Sequence, residues 1–304
     1  IPEYCFDGCE KLATVSVAAA KLVDEYAFRN CVKLSKFTGF SAVERINSYA
    51  FENTTFSSIS STVLTTLEPY AFKGCWNLTG ITLNGLKSVD LSMFEGANHL
   101  SYFTFNNATE LIFPENGLAS LYPSLKSLKA SKITELPDYA FDGCVDLTTH
   151  SFTELTSVGK YAFRGTALTE INFSKLKTVG EGAFSKITAA KTVVLPVISS
   201  ISTSMFEGCT GVTEARFNLK NFPAGISVKK MFPNIKSFYA PKATEIPAEM
   251  FKDCTNLSST SLGSLYVIGA RAFQNCALKT INFYADTIGE YAFDGNPATK
   301  VQLD

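Results

Sequence analysis

Apolar residues along this chain keep one rhythm from end to end. A phenylalanine, usually preceded by alanine, marks it at positions 6, 28, 51, 72, 94, 141, 163, 184, 206, 251, 273 and 293, spaced by 20–23 residues except across two double-length gaps. An aliphatic residue stands five positions ahead of each marker, as at Val23, Ile46, Leu136 and Ile268. Five or six positions after it comes a leucine, then two apolar residues separated by one polar residue, as in Leu78/Ile81/Leu83 and Leu168/Ile171/Phe173. That final alternation has a period of two and predicts a short strand with every second side chain turned inward. The segment around the marker does not alternate. Ala-Phe beside Gly/Asn-Cys predicts a tight helical or 3₁₀ turn that presses the ring into the interior. A repeat of this length cannot bury its apolar face alone, so neighbouring coils must stack into a solenoid. Strands stacked at roughly 4.8 Å predict a parallel sheet on the order of 65 Å long.

A longer period lies over the short one. Phe141-Asp142-Gly143-Cys144 matches Phe251-Lys252-Asp253-Cys254 at an offset of 110 residues, and Pro123–Leu128 matches Pro233–Phe238 at the same offset. Each double-length gap therefore hides a variant coil, with Tyr122 and Phe232 in the marker place, which brings the expected total to about 14 coils. An extended connection precedes each variant, over Phe113–Ser120 and Phe222–Lys229. These are either tolerated insertions or a pair of binding loops on a rigid scaffold. The unbroken repeat predicts one elongated domain over residues 1–304. The chain opens at Ile1 within a repeat and stops at Asp304 just after a strand, which reads as a segment cut from a longer protein at both ends.

The unit Leu-x-x-Ile-x-Φ followed by Ile/Val-x-x-Tyr-Ala-Phe-x-Gly-Cys resembles the BspA-type leucine-rich repeat over essentially the whole chain. The resemblance implies an α/β repeat fold: a right-handed leucine-rich-repeat solenoid with a parallel β-sheet on one face and short helical or 3₁₀ turns on the other. It implies a surface protein of the adhesin kind, at the cell surface or extracellular, whose partner is a protein of the extracellular matrix or of another cell. The chain departs from the usual pattern in one respect: proline follows the strand only at Pro196 and Pro241. The family brings no invariant active site to map, so function by resemblance stays at the level of class.

Composition removes other classes. With 46% hydrophobic and 18% charged residues the chain is not disordered. A net charge of -1 and the absence of any long Lys/Arg run leave no electrostatic footprint for nucleic acid. No apolar stretch is long enough for a membrane-spanning helix. Seven of the eight cysteines, Cys9, Cys31, Cys75, Cys144, Cys209, Cys254 and Cys276, fall three residues after a marker, where other coils have Thr54, Ala97, Thr166 or Ile187. That reads as a small core position filled by buried thiols. Cys9/Cys31 and Cys254/Cys276 lie in adjacent coils and are the candidate disulfides, with Cys5/Cys9 a third. There is no CxxC and no Cys-His cluster, so no zinc site and no cofactor is expected. Of the two histidines, His150 reads as a packing residue on an inward strand position and His99 as a solvated one. No catalytic arrangement emerges, and the chain is read as non-enzymatic.

What remains is the displayed strand face. Its outward residues, such as Thr82/Asn84, Ser127/Lys129, Thr149/Ser151 and Lys36/Thr38/Phe40, are rich in hydroxyls and amides and poor in charge. Thr and Ser suit an exposed β-surface without any ligand. Tyrosine and arginine are the usual anchors of binding faces, and few occur here. Glu214, Arg216 and Tyr239 fall on adjacent coils, Tyr284 two coils further on, and Tyr102 earlier. These five are the candidate binding residues for a protein ligand. A glycan-binding module and a passive spacer for another domain are the alternative readings.

Overall fold

The computed structural model describes residues 1–303. It divides into two compact units, residues 1–134 with 144–154, and residues 135–143 with 155 onward. Both are parallel-strand solenoids, with about 13 turns in all. In the first unit, the strands Ser58–Ser61, Gly80–Leu83, Tyr102–Thr104, Ser127–Lys129 and Thr149–Ser151 form one parallel platform sheet. In the second, Glu170–Asn172, Thr192–Leu195, Glu214–Phe217, Ser237–Ala240 and Ser259–Leu262 do the same. The platform is interrupted within each unit. Thr14–Val15 pairs with Lys36–Phe37 alone, and Thr280–Phe283 with Lys300–Leu303 alone.

Many coils also carry a second strand that alternation does not reveal. The aliphatic residue five positions before the marker ends a short strand, as in Leu22–Val23, Arg45–Ile46 and Thr66–Leu67, and these pair in parallel with their counterparts. In the second unit Glu135–Leu136, Ser157–Val158 and Thr178–Val179 form the same ladder.

The turn around the marker has a definite internal logic. The residues two before and two after the marker mostly adopt left-handed backbone, as at Tyr26 and Asn30 (φ 55° and 59°), Tyr49 and Asn53 (58° and 59°), and Tyr161 and Gly165 (53° and 69°). Glycine and asparagine tolerate this region readily, whereas tyrosine there is uncommon. The geometry splits the N–H groups between two tasks. Tyr161, Phe163 and Gly165 donate to the carbonyls of Glu181, Ala183 and Ser185 in the next coil at 2.9, 2.8 and 3.0 Å. Arg164 and Thr166, between them, close turns onto the Tyr161 and Phe163 carbonyls. These five donors are thus satisfied without a helix. A 3₁₀ turn at the marker occurs at Leu91–Phe94 and Ser204–Phe206, and a one-turn helix, Val228–Met231, precedes Phe232. The tyrosines offset their backbone conformation by stacking: Tyr4–Tyr26, Tyr26–Tyr49 and Tyr49–Tyr70 have ring centroids 4.9, 5.3 and 5.3 Å apart.

The marker rings form columns, buried from Phe28 through Phe273 and exposed at Phe6. Phe6, Phe28, Phe51 and Phe72 stack at 5.1, 5.2 and 5.4 Å, and Phe141, Phe163, Phe184 and Phe206 at 5.2, 5.6 and 5.6 Å. Phe72, Phe163 and Phe273 are fully buried. The variant markers Tyr122 and Phe232 are buried too. The Tyr122 hydroxyl, enclosed by protein, donates to the Leu91 carbonyl.

Six of the cysteines three residues past a marker are buried, while Cys9 and also Cys5 are exposed. All eight are free thiols, so none of the three candidate pairs is bridged. The position asks for more than small size. Sγ of Cys31, Cys75, Cys209 and Cys276 donates to the carbonyl of the preceding coil's marker, Phe6, Phe51, Phe184 or Phe251, at 3.0–3.2 Å. Thr54 and Thr166 instead donate to their own marker's carbonyl.

Two residues of the displayed face depart from expectation. Phe40 is not outward: the 3₁₀ turn Thr38–Ser41 swings its ring inward onto Phe37, Phe51 and Phe56 at 4.9, 5.6 and 5.5 Å. Ser127 keeps the outward register, opposite Tyr102 and Thr149, yet it is buried. The extended connections are also partly core, since Leu118, Phe222 and Ile226 are buried.

Candidate functional site

The platform of the second unit holds a groove of about 340 Å³, within the size range of ligand sites (roughly 300–1,000 Å³). Strand alternation builds it. Val193, Leu195, Ala215, Phe217, Phe238 and Ala240 are buried, which turns the residues between them outward. Register then aligns Val194, Arg216, Tyr239 and Ser261 in a single row across four coils. Pro196, Asn218 and Pro241 line its far side, each just past the strand of its coil. The two prolines at the post-strand position are therefore groove walls, two coils apart, with Asn218 between them.

Arg216 is held in place from two sides. Its Nε donates to Glu214 Oε1 at 2.6 Å, two residues back on the same face of the same strand. Its guanidinium carbon lies 4.0 Å from the centre of the Tyr239 ring. The hydrogen bond to Glu214 raises the guanidinium pKa further, so the cation persists at every working pH. The result is a fixed planar cation on an aromatic face, with its charge offset by Glu214, between apolar walls. Such a surface suits apolar and hydrogen-bonding groups of a ligand more than a strongly charged one.

Of the five residues singled out from sequence, Glu214, Arg216 and Tyr239 are brought together. Tyr284 is not part of this groove. It sits at the corner between the strands Thr280–Phe283 and Ala285–Ile288, 54% exposed, with its carbonyl accepting from the Leu265 N–H at 3.0 Å. Tyr102 belongs to the first unit, 52% exposed on its own platform strand opposite Gly80. Sequence reasoning missed Val194, Ser261 and Asn218 as groove residues. The post-strand position shared by Pro196 and Pro241 was the available signal.

Beside the extended connection at Phe222–Lys229 is a second hollow of about 380 Å³, lined by Gly225, Ser227 and Lys230 with Glu249 and Lys252. Lys252 pairs with Glu249 at 3.0 Å, and Lys229 donates to the Pro233 carbonyl at 3.3 Å, so much of its charge is spent within the protein. His150 stacks on Phe152 at 5.5 Å, and burial pushes its pKa down to about 4, which keeps the ring neutral near pH 7. Among the described residues no group of three or more His, Cys, Asp or Glu side chains is placed to hold a metal ion, and no helix is long and apolar enough to cross a membrane.

Comparisons agree with the repeat geometry. The family model described as BspA type Leucine rich repeat region matches in six copies, over residues 1–116, 120–227 and 230–300. No curated protein sequence matches the chain. Among solved structures, a leucine-rich repeat protein from Bacteroides ovatus is 20% identical, with 97% of this chain and 79% of that one covered and a TM-score of 0.41. A leucine rich cell surface protein from Faecalibacterium prausnitzii is 18% identical, with coverages of 86% and 83% and a TM-score of 0.41. A leucine-rich repeat protein from Eubacterium ventriosum is 19% identical, with coverages of 97% and 86% and a TM-score of 0.39. At these scores the superpositions add nothing to the assignment, which rests on the repeat match. On that match, spanning nearly all of the sequence, the chain belongs to the BspA-type leucine-rich repeat family.

Proposed function

We propose that this chain is a non-enzymatic, adhesin-like binding protein of the cell surface or extracellular space, and that its platform groove takes a protein ligand. The observation that carries this reading is the Glu214–Arg216–Tyr239 assembly. It is the one place in the groove where a large aromatic and a cation are already locked in register. Locked side chains lose little rotamer freedom on binding, and Tyr and Arg are enriched among the residues that dominate interface energetics. The flanking Val194, Pro196 and Pro241 supply the apolar, water-excluding surround that such an anchor needs. Membership of a repeat family that supplies no active-site motif supports binding over catalysis, and the family's surface-protein character supports the location.

The experiment is a binding assay against extracellular-matrix and cell-surface proteins. It compares the parent with Tyr239→Ala, Glu214→Gln and a variant shortened at Phe222–Lys229. For a ligand that the parent binds, Tyr239→Ala is expected to cost about 2 kcal/mol or more, roughly 30-fold in affinity. Glu214→Gln should cost less, by freeing the guanidinium. Tyr102→Ala and Tyr284→Ala probe the two sites outside the groove. Unchanged affinity in both Tyr239→Ala and the shortened variant would remove the groove from the function.

A further inference from the structure

Trp76 is the only tryptophan of the chain, and 58% of it is exposed. The fold does not require it. The same position, four residues after the marker, holds Glu10, Val32, Thr55, Asn98 and Val145 in other coils, so no shared packing role explains an indole there. Trp76 is one of several large apolar side chains left exposed, with Tyr102, Tyr266 and Tyr291 among the others, and exposure alone would need no explanation. Trp76 borders a groove of about 480 Å³ in the first unit.

The rest of that groove is polar, and the repeat builds it. Asn77, His99, Ser124 and Asp146 occupy one position in four successive coils. Each immediately precedes a fully buried leucine, Leu78, Leu100, Leu125 or Leu147, which fixes the backbone beneath it. Lys126 stands beyond Leu125 on the same rim. Four coils at the strand spacing span roughly 14 Å, the length of a short oligosaccharide. The row presents amide, imidazole, hydroxyl, carboxylate and ammonium groups in turn, and Lys126 and Asp146 offset each other in charge.

We propose that this corner is a binding subsite for an uncharged oligosaccharide. One pyranose ring lies on the indole of Trp76, and its neighbours' hydroxyls exchange hydrogen bonds with Asn77, His99 and Asp146. The chemistry matches on both sides. The axial C–H face of a pyranose is apolar and slightly electropositive, and it meets the negative face of the aromatic quadrupole. The equatorial hydroxyls both donate and accept, as the polar row does. A polyanion or a cation would find no net charge to hold it. The proposal is independent of the protein-binding groove in the second unit.

Because Trp76 is the sole tryptophan, its fluorescence, excited where tyrosine does not absorb, reports this corner directly. The probes are uncharged gluco-, manno-, galacto- and N-acetylglucosamine oligosaccharides, with a sulfated oligosaccharide as the charged control. A saturable spectral shift with at least one uncharged probe is expected. By calorimetry, that binding should weaken about tenfold or more in Trp76→Ala and in Asp146→Ala. It should survive in part in Trp76→Phe, and Tyr239→Ala should leave it unchanged. Asp146→Ala tests the site with the indole intact should Trp76→Ala fold poorly. The proposal is overturned if no uncharged probe gives a saturable shift, if binding persists undiminished in Trp76→Ala and Asp146→Ala, or if only the sulfated probe or a protein ligand perturbs the indole.

Discussion

Replacing Phe163 with alanine tests the packing on which the whole repeat depends. The ring is fully buried, stacked between Phe141 at 5.2 Å and Phe184 at 5.6 Å, with Phe173 at 5.7 Å on its flank. Phe→Ala in a core costs the lost transfer energy plus a cavity term, about 3–5 kcal/mol in all. Phe163→Ala belongs in the upper half of that range, about 4 kcal/mol, because the site resists collapse. Its own N–H is bonded to the Ala183 carbonyl and its carbonyl accepts from Thr166, so the coil cannot slide inward to fill the space. Phe163→Leu keeps most of the volume and should cost about 1.5 kcal/mol. Phe6→Ala is the contrast: that ring is 36% exposed and stacks on Phe28, so its loss should cost less than half as much as that of Phe163. Urea denaturation followed by circular dichroism gives the midpoint and the slope, and therefore separates lost stability from lost cooperativity. A cost of about 1 kcal/mol or less for Phe163→Ala, or equal costs at positions 163 and 6, would refute the closed-column account.

Other outcomes follow from the turn and the strand face. Burial pushes the thiols of Cys31 and Cys75 up to about 11 and those of Cys209 and Cys276 up to about 12, so a thiol reagent at neutral pH should modify Cys5 and Cys9 in the native protein and reach the other six after denaturation. More than two reactive thiols in the native state, or fewer than eight after denaturation without reductant, would contradict this. At Tyr26 both Ala and Gly lose the ring stack, but only Gly relieves the left-handed backbone, so Tyr26→Gly should melt above Tyr26→Ala. The reverse order would show that backbone conformation is not the cost the stack offsets. His150 titrates at about 4 in the folded state against an ordinary 6.5, so the unfolded chain binds more protons between those values and stability falls as pH is lowered through that window. The half-buried ring sets an upper limit of about 3 kcal/mol on this effect, and His150→Phe should flatten the pH slope relative to the parent.

Counting along the chain was enough to establish a good deal. The period placed the marker rings inside, and the offset of 110 identified Tyr122 and Phe232 as disguised markers, both of which are buried. It also put Glu214, Arg216 and Tyr239 side by side, because in a stacked coil the neighbour of a residue is the residue one period away. The second strand that many coils carry was invisible because many of its copies run for two residues, too few for any alternation to show. The left-handed tyrosines were invisible because what stabilises them is a ring one coil away rather than anything in the local sequence. Phe40 turned inward, and Tyr284 left the groove, for a related reason: where a strand stops depends on whether the next coil continues the ladder, and a single chain segment does not carry that information. Trp76 sits at a position that the repeat leaves unconstrained, so periodicity could not single it out. The sequence by itself determines which residues share a level of the stack, since that requires only the period. The direction in which each side chain finally points, and which of them close into a groove, is decided by backbone hydrogen bonds to coils some 20–23 residues away, and those exist only once the coils are stacked.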